Sequence, residues 1–263
     1  MSFPLSANAS MTLGHDRPIE AIEHAAALGV DAIEFWDVAS ADAEAIRAAS
    51  EEHGVALSAS TCVGVAANAS GSGPGLTDPS VHDEAVADVE RSLELGEAVG
   101  VDALVVTVGP ARADLPPGTE HRAIVNVLRD AAPAAERAGI DLVLEPLNTR
   151  VDHPGYYLES SYEAYEIVDA VDSPAVSVLF DVYHQQVTEG NVIANLRAHV
   201  DFVGYVHVAD VPGRHEPGTG ELNYERVFAA LDDVGYEGYV GLEYAPSRPV
   251  DETVEDVLDI RPA

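Results

Sequence analysis

The sequence predicts an α/β protein whose single domain, residues 1–263, folds as one (β/α)₈ TIM barrel. Three observations lead to this fold class. Strand-like and helix-like segments alternate along the chain, eight strand-like segments are present, and the length of 263 residues is close to the roughly 250 residues typical of such barrels. Alternation alone does not report whether the sheet closes, so an open doubly wound sheet is the alternative.

One junction recurs where a predicted helix meets a strand. A helix-like segment ends at a glycine, and a short apolar run follows. Glycine supplies the left-handed conformation that commonly ends a helix, and the apolar run is typical of a parallel strand buried on both faces. The junction occurs at residues 27–34, 52–59, 98–105, 137–145 and 233–243.

The remaining elements follow from the same alternation. Strands are predicted near 5–11, 31–36, 55–60, 102–107, 140–145, 176–180, 203–208 and 239–243. Helices are predicted near 18–28, 41–53, 81–98, 119–138, 160–171, 189–199 and 223–234. No internal linker interrupts this order, and we therefore expect one domain.

The charge of the chain limits its function classes. It carries 46 Asp and Glu against 13 Lys and Arg, a formal net charge of −33, and all 13 cations are arginine. Without lysine, Schiff-base aldolases, pyridoxal-phosphate enzymes and lysine-containing phosphate loops are excluded. The negative charge also repels nucleic acids and anionic membranes, so neither is expected as a partner. We expect small hydroxy acids, oxo acids or sugars and metal cations instead, and leave open a homo-oligomer.

The distribution of the acids suggests where the protein works. They are concentrated on the solvent faces of predicted helices. A lysine-free acidic surface resembles the proteins of organisms that keep molar salt in the cytoplasm, so we expect a halophilic protein. The N-terminal segment lacks the features of a signal peptide, and no segment approaches the roughly 20 apolar residues of a membrane span. We therefore expect a cytoplasmic protein.

Four consecutive strands are predicted to end in side chains that can bind a metal. In a barrel these ends converge on one mouth. Carboxylates beside apolar runs are costly to bury without a compensating charge, which a divalent cation would supply. We predict one such ion, Mn²⁺ or Mg²⁺ in the first place and Co²⁺ or Zn²⁺ otherwise. The alternative is that these acids cap helices or pair with Arg150 and Arg214. The four residues are Glu145, Asp181, His207 and Glu243.

Several segments resemble the hydroxypyruvate isomerase family of the xylose isomerase-like barrels. The most specific is Ala209–Glu221, and the others are Leu144–Asn148, Pro154–Leu158, Phe180–His184 and Gly241–Tyr244. The resemblance implies a barrel with one metal bound by the four residues above. Members of this family commonly carry glutamine where this chain has His207, whereas the related ketose 3-epimerases carry histidine. The metal site is expected in either case, and the exact substrate is left open.

Aldose–ketose isomerisation and epimerisation next to a carbonyl share one difficult step, the removal of a proton from the carbon beside the carbonyl. The resemblance assigns it to Glu145 and Glu243, an acid/base pair that flanks the substrate and also touches the metal. Asp181 and His207 would then be metal ligands without a direct proton role.

Further residues are predicted to bind the substrate. His184 could donate to a substrate oxygen, with a surface loop histidine as the alternative. Arg214 is expected to bind a substrate carboxylate, unless it pairs with Glu216 or Glu221. Asn148 and Glu221 are expected to support the site, and Trp36 to form part of the pocket wall.

The single cysteine and most histidines are expected to have structural roles. Cys62 cannot form an internal disulfide and is expected to be a small buried hydrophobe rather than a nucleophile. Seven histidines lack a metal-binding spacing and are expected on helices or loops without a catalytic role. They are His15, His24, His53, His82, His121, His153 and His199.

The leading prediction is a metal-dependent isomerase that interconverts hydroxypyruvate and tartronate semialdehyde, or acts on a close 2-oxo or sugar acid. A ketose 3-epimerase of the tagatose or psicose type is the nearest alternative, favoured by His207. A metal-dependent endonuclease would need more histidine ligands and a basic groove, and the net charge of −33 argues against it. A non-catalytic barrel that binds a sugar acid is the alternative from a different class.

Overall fold

Eight parallel strands close into a barrel at the centre of the molecule. The computed structural model describes residues 3–37 and 42–262. Strand β3 pairs with β4, and β1 pairs with β8, so each barrel strand has two neighbours. The predicted (β/α)₈ barrel is therefore confirmed over the open sheet. The barrel strands are β1 (Leu5–Asn8), β2 (Ala32–Phe35), β3 (Ala56–Thr61), β4 (Ala103–Val108), β5 (Asp141–Leu144), β6 (Val176–Asp181), β7 (Val203–Val208) and β8 (Tyr239–Leu242). A further two-residue strand, Ala67–Asn68, pairs with the end of β4.

Nine α-helices accompany the strands in the described part of the chain. They are α1 (Pro18–Leu28), α2 (Ala43–His53), α3 (His82–Val99), α4 (Thr119–Ala138), α5 (Ser161–Val171), α6 (Val182–Thr188), α7 (Val192–His199), α8 (Tyr224–Asp233) and α9 (Val250–Ile260). The seven predicted helices correspond to α1–α5, α7 and α8, although residue 41, the predicted start of the second, lies outside the described residues. Across the described ranges, none of the helices has both the length and the apolar character needed to cross a membrane.

The structure adds two helices that were not predicted and corrects one strand boundary. Helix α6 was not predicted, because it begins directly after β6 without a glycine or proline between them. The side chain of Asp181 caps this helix by accepting a hydrogen bond from the backbone amide of His184 at 3.0 Å. Helix α9, after the last strand, was also missed. Strand β1 ends at Asn8 rather than near residue 11, because the Asn8 side chain accepts hydrogen bonds from the amides of Ser10 and Met11 and turns the chain.

The helix–glycine–strand junctions are present as predicted. Gly100 ends α3 with φ of 92°, and Gly139 ends α4 with φ of 67°. Both lie in the left-handed region that other residues rarely adopt. A buried barrel strand begins within three residues of each glycine. Local sequence therefore determines where each helix turns back into the barrel.

Apolar side chains fill the inside of the barrel below the C-terminal ends of its strands. Successive side chains of a strand point to opposite faces, so Ala103 and Val105 of β4 face the interior while Leu104 faces the helices. The interior cluster also contains Tyr205 of β7. This packing closes the barrel from below.

Candidate active site

A cavity of about 430 Å³ opens at the C-terminal ends of the strands. Ala59 and Val105 of the interior cluster form part of its floor. Glu145, His207 and Glu243 contribute polar side chains to its wall. Barrel enzymes place their reactive groups at this end, so the cavity is the candidate active site.

The four side chains predicted to bind a metal meet at this mouth. Glu145 lies one residue after β5, Asp181 ends β6, His207 is in β7 and Glu243 lies one residue after β8. One donor atom of each lies within 4.8 Å of the others, and all four residues are buried. The parallel register contributes to this, because it places Asp181 directly beside His207.

The donor atoms of this cluster suit a divalent cation. Nδ1 of His207 is buried and has no hydrogen-bond partner among the described residues. Glu145 Oε1 and Glu243 Oε2 lie 3.6 and 3.5 Å from it, too far for normal hydrogen bonds. The cluster offers three carboxylates and one imidazole and no sulfur ligand. Such an oxygen-rich set suits Mn²⁺ or Mg²⁺ better than the softer metals that prefer cysteine. The cluster could therefore hold one divalent metal ion.

The same cluster has unusual protonation behaviour. The pKa of Glu145 is raised to about 7. Burial is the largest cause, the neighbouring His207 acts in the opposite direction, and Glu243 adds to the increase. Burial alone would lower the pKa of His207, but Glu34 and Glu243 outweigh it and hold that pKa well above its ordinary value. Near neutral pH and without a metal, Glu145 is thus poised between its acid and base forms.

Arg214 reaches the cavity from the loop after β7. Its Nη2 donates a hydrogen bond to Oε2 of Glu243 and lies 3.6 Å from Oδ2 of Asp181. Within the described ranges it does not form the alternative salt bridges to Glu216 or Glu221. Its Nε–H is buried and has no partner there, so it can donate a hydrogen bond to a ligand in the cavity.

The backbone of this loop fixes the position of Arg214. The Asp210 carboxylate accepts hydrogen bonds from the amides of Gly218 at 2.9 Å and Gly220 at 2.8 Å. Arg214 itself has a left-handed backbone, with φ of 55°. Its amide bonds to the carbonyl of Asp210, and its carbonyl accepts a hydrogen bond from Ala245. The guanidinium is therefore presented by a tightly hydrogen-bonded loop.

His184 lies in the first turn of α6 and lines the cavity. It is buried, and its Nε2 has no hydrogen-bond partner in the described part of the chain. Asn148 lies behind the ring and bonds to Nδ1 rather than lining the cavity. Burial, and next the charge of Arg214, hold the pKa of His184 well below its ordinary value. The imidazole is therefore neutral near pH 7, and it is not the surface loop histidine that the sequence allowed.

Trp36 and Glu221 were both predicted near the substrate, but only Trp36 of the two lines the cavity. Trp36 is 49% exposed, lines the cavity and donates its Nε1–H to Glu243 Oε1 at 3.1 Å. Glu221 is exposed and accepts a hydrogen bond from Gln186 at 3.2 Å. Because the amides on either side of Glu221 bond to Asp210, its side chain turns away from the cavity. The structure does not bring Glu221 to the site.

Glu34 and His153 line the cavity, although neither was predicted to do so. Glu34 is a buried residue of β2 that follows the apolar residues Ala32 and Ile33. Glu145 follows an apolar run in the same way, so an acid after an apolar strand segment is a sequence signal for both. His153 was expected on a helix or loop without a catalytic role. It lines the cavity, its ring centre lies 5.3 Å from that of His184, and its Nδ1 lies 2.7 Å from the carbonyl of Ala69. No spacing in the sequence signals this contact.

Named relatives match different shares of the chain. A 2-oxo-tetronate isomerase of Cupriavidus necator is 37% identical over 158 residues, 60% of this chain and 60% of that protein. The hydroxypyruvate isomerase of Escherichia coli is 32% identical over 168 residues, 64% of this chain and 65% of that protein. The chain thus matches less than two thirds of either relative's length. A 2-oxo-tetronate isomerase of Haemophilus influenzae is 30% identical over 246 residues, 92% of this chain and 93% of that protein.

Solved structures share the barrel. One described as an AP endonuclease of family 2 from Brucella melitensis has a TM-score of 0.90 and 28% identity, with 100% of both chains covered. A D-allulose 3-epimerase from Methylomonas has a TM-score of 0.78 and 20% identity, covers 98% of this chain and 96% of that chain, and shows the fold alone. The sequence model of the family described as Xylose isomerase-like TIM barrel matches residues 22–260. The expected family is therefore confirmed, and the chain belongs to the xylose isomerase-like TIM barrels.

Proposed function

We propose that this protein is a metal-dependent isomerase, acting in the cytoplasm, that interconverts hydroxypyruvate and tartronate semialdehyde or a close 2-oxo acid pair. Relatives named hydroxypyruvate isomerase or 2-oxo-tetronate isomerase support an isomerase. The observation that carries the proposal is that Glu145 and Glu243 meet at one mouth together with Arg214. Two carboxylates that can move a proton and one cation that can bind a carboxylate are the groups this reaction needs.

The reaction on hydroxypyruvate moves hydrogen between two adjacent carbons. One proton leaves C3, which carries the hydroxyl, and one arrives at C2, while the hydroxyl proton passes from O3 to O2. Acid and base groups must therefore reach both carbons. Glu145 is a buried carboxylate directly after β5 that lines this space and can accept or release the proton. Glu243 is the second carboxylate beside the same space.

One divalent metal ion, Mn²⁺ or Mg²⁺, is the proposed cofactor. Glu145, Asp181, His207 and Glu243 would hold it, with His207 contributing its free Nδ1. When bound, such an ion polarises a carbonyl and stabilises negative charge that develops on substrate oxygens. Asp181 is buried and caps α6, so it is proposed as a ligand without a role in proton transfer.

Arg214 and His184 are proposed to bind and orient the substrate. Arg214 is the arginine of the cavity wall in the described residues, and its Nε–H has no partner there. Because several carboxylates line the same wall, an anionic substrate needs this cation to enter. His184 is neutral and is proposed to donate from Nε2 to a substrate oxygen.

A ketose 3-epimerase is the second candidate. It is favoured by His207, since the family resemblance associates histidine at this position with epimerases. An epimerase also removes a proton beside a carbonyl, but it returns the proton to the opposite face of the same carbon. An endonuclease is disfavoured, because a net charge of −33 repels DNA phosphates, and the described residues contain one candidate metal cluster rather than several.

A small substrate panel tests these candidates. Protein loaded with Mg²⁺ or Mn²⁺ should convert hydroxypyruvate or 2-oxo-tetronate and leave free D-allulose and D-fructose unchanged. Removal of metal with EDTA should abolish turnover, and added Mn²⁺ should restore it. Conversion of the free ketoses alone would favour the epimerase. Binding without conversion of any of them would favour the non-catalytic barrel.

A further inference from the structure

We infer that Glu34 is a positioning residue of the proposed metal centre, which holds the His207 ring so that Nε2 keeps its proton and Nδ1 faces the three carboxylates. The inference rests on the metal-dependent function proposed above. Glu34 is a fourth acid at the barrel mouth, 3% exposed, and does not belong to the four-residue cluster. Its contacts explain why an additional carboxylate is buried there.

Three donors surround the Glu34 carboxylate. Asn8 Nδ2 donates to Oε1 at 3.1 Å, and the Tyr205 hydroxyl donates to Oε2 at 2.8 Å. His207 Nε2 lies 3.0 Å from the same Oε2. An ionised carboxylate can only accept hydrogen bonds, so His207 must be the donor of this contact. Burying the carboxylate without such donors would cost several kcal/mol.

This hydrogen bond determines which ring nitrogen can bind a metal. In the neutral ring that a metal ligand requires, a proton held on Nε2 leaves Nδ1 as the nitrogen that presents a lone pair. Nδ1 lies 3.6 Å from Glu145 and 3.5 Å from Glu243 and has no hydrogen-bond partner in the described part of the chain. Histidine ligands of metals commonly donate their other N–H to a carboxylate, which fixes the ring orientation and makes the ligand more basic.

Gly241 of β8 provides the space in which the two side chains meet. A Cβ atom at this position would lie 2.7 Å from Cδ2 of His207 and 2.9 Å from Oε2 of Glu34. Both distances are shorter than real contacts of a Cβ atom allow. Gly241 pairs with His207 on one side and with Ser6 on the other, so any side chain there would enter between Glu34 and the ring. The glycine is needed for room and not for its backbone conformation.

A second layer of hydrogen bonds supports Glu34 from the interior of the barrel. The Tyr205 hydroxyl lies 2.9 Å from Ser58 Oγ, and Ser58 Oγ lies 2.6 Å from Ser6 Oγ. All of these residues are buried. The carboxylate is thus fixed from below, and the proposed ligand His207 is fixed through it.

Substitutions at Glu34 test the inference through metal binding rather than turnover. Glu34→Met keeps the chain length and removes the acceptor, whereas Glu34→Gln keeps one acceptor oxygen. Binding of Mn²⁺, followed by the electron paramagnetic resonance signal of free Mn²⁺, should weaken by about 10- to 100-fold in Glu34→Met and by less in Glu34→Gln. Glu97→Met, which removes one negative charge from an exposed position of α3, is the matched control and should bind as the wild type does.

Nuclear magnetic resonance of protein with ¹⁵N-labelled histidine provides the second readout. With Mg²⁺ bound, His207 should show a slowly exchanging proton on Nε2 and none on Nδ1. This Nε2 signal should be lost or shifted in Glu34→Met. Gly241→Ala, which leaves every hydrogen-bonding group in place, should separate the pair and weaken Mn²⁺ binding as well. Melting temperatures show whether each variant is folded.

The possible outcomes separate this inference from the proposed function. If the wild type binds Mn²⁺ and a folded Glu34→Met binds it equally well with an unchanged Nε2 signal, Glu34 has no positioning role. If Glu34→Met is unfolded, equal binding by Gly241→Ala and wild type would overturn the inference. If the wild type binds neither Mn²⁺ nor Mg²⁺, the proposed metal-dependent function is wrong. The role of Glu34 in positioning a metal ligand is then wrong as well.

Discussion

Nδ1 of His184 accepts hydrogen bonds from both amide groups of Asn148, the backbone N–H at 3.1 Å and the side-chain amide at 2.7 Å. The backbone N–H can only donate, so Nδ1 carries no proton, and the proton of the neutral ring is on Nε2. Nε2 is buried and has no hydrogen-bond partner among the described residues, and His184 lines the cavity. Asn148 therefore makes His184 a hydrogen-bond donor to whatever occupies the cavity.

Replacement of His184 tests this donor. His184→Leu should lower kcat/KM for hydroxypyruvate by about tenfold, since a lost neutral hydrogen bond is worth about 1.4 kcal/mol. His184→Gln, which keeps an amide donor, should lose less. Mn²⁺ affinity should change less than kcat/KM in both variants, because Nε2 of His184 lies 3.6 Å from Oδ2 of Asp181, too far for a normal hydrogen bond to this proposed ligand. Equal kcat/KM in His184→Leu and wild type would show that this donor does not touch the substrate.

Arg214→Met should impair recognition of the substrate carboxylate. Hydrogen bonds to charged groups are worth about 1.5–3 kcal/mol, so KM for hydroxypyruvate should rise by about 10- to 100-fold. Arg226→Met removes the same charge from an exposed position of α8 and should leave KM unchanged. Steady-state kinetics with both variants provide the measurement. An unchanged KM in Arg214→Met would assign the guanidinium to Glu243 alone.

Asp210→Asn should loosen the loop that presents Arg214. The substitution replaces a carboxylate oxygen by an N–H group where the amides of Gly218 and Gly220 now donate. A loss of about 1–3 kcal/mol in local stability should accelerate trypsin cleavage after Arg214 by about tenfold or more. Because trypsin can also cleave after the other twelve arginines, mass spectrometry of the fragments assigns the cleavage to Arg214. Glu225→Gln, an exposed acid of α8, is the control, and equal cleavage of both variants would contradict the role of Asp210.

Cys62 should be unreactive in the folded protein. Burial raises the pKa of its thiol to about 12; Ser92 opposes this and Asp88 adds to it. At pH 8 only about one thiol in 10⁴ is then ionised, and the thiolate is the reactive form. A thiol reagent should react at least about a thousandfold more slowly with native protein than with protein unfolded in guanidinium chloride. Similar rates in the two states would contradict the prediction that Cys62 is a buried hydrophobe.

The strand ends show what could be predicted from sequence. Glu145, Asp181, His207 and Glu243 each belong to or follow a short apolar run, and a closed parallel barrel brings such positions together whatever the details of packing. The four could therefore be grouped before any distance was known. Glu34 follows the apolar residues Ala32 and Ile33 in the same way, so the sequence carries the signal for this position as well.

Other features depend on tertiary contacts that no local pattern reports. His153 enters the cavity wall because its loop contacts Ala69, more than eighty residues earlier in the chain. The Glu221 side chain lies outside the cavity because the backbone amides on either side of it donate hydrogen bonds to Asp210. Arg214 binds Glu243 rather than either acid near it in sequence. In each case a long-range hydrogen bond, and not the residue type, determines where the side chain lies.

Proton transfer by Glu145 and Glu243 is the central claim, and proton magnetic resonance tests it most directly. Mg²⁺-loaded protein is incubated with hydroxypyruvate in deuterated, high-salt buffer, alongside Glu145→Gln and Glu243→Gln. The wild type should form the aldehyde hydrate of tartronate semialdehyde and introduce deuterium at carbon, while both variants should remain folded and lose nearly all turnover. A metal-loaded wild type with neither product nor carbon-bound deuterium, or a glutamine variant with full turnover, would contradict the claim.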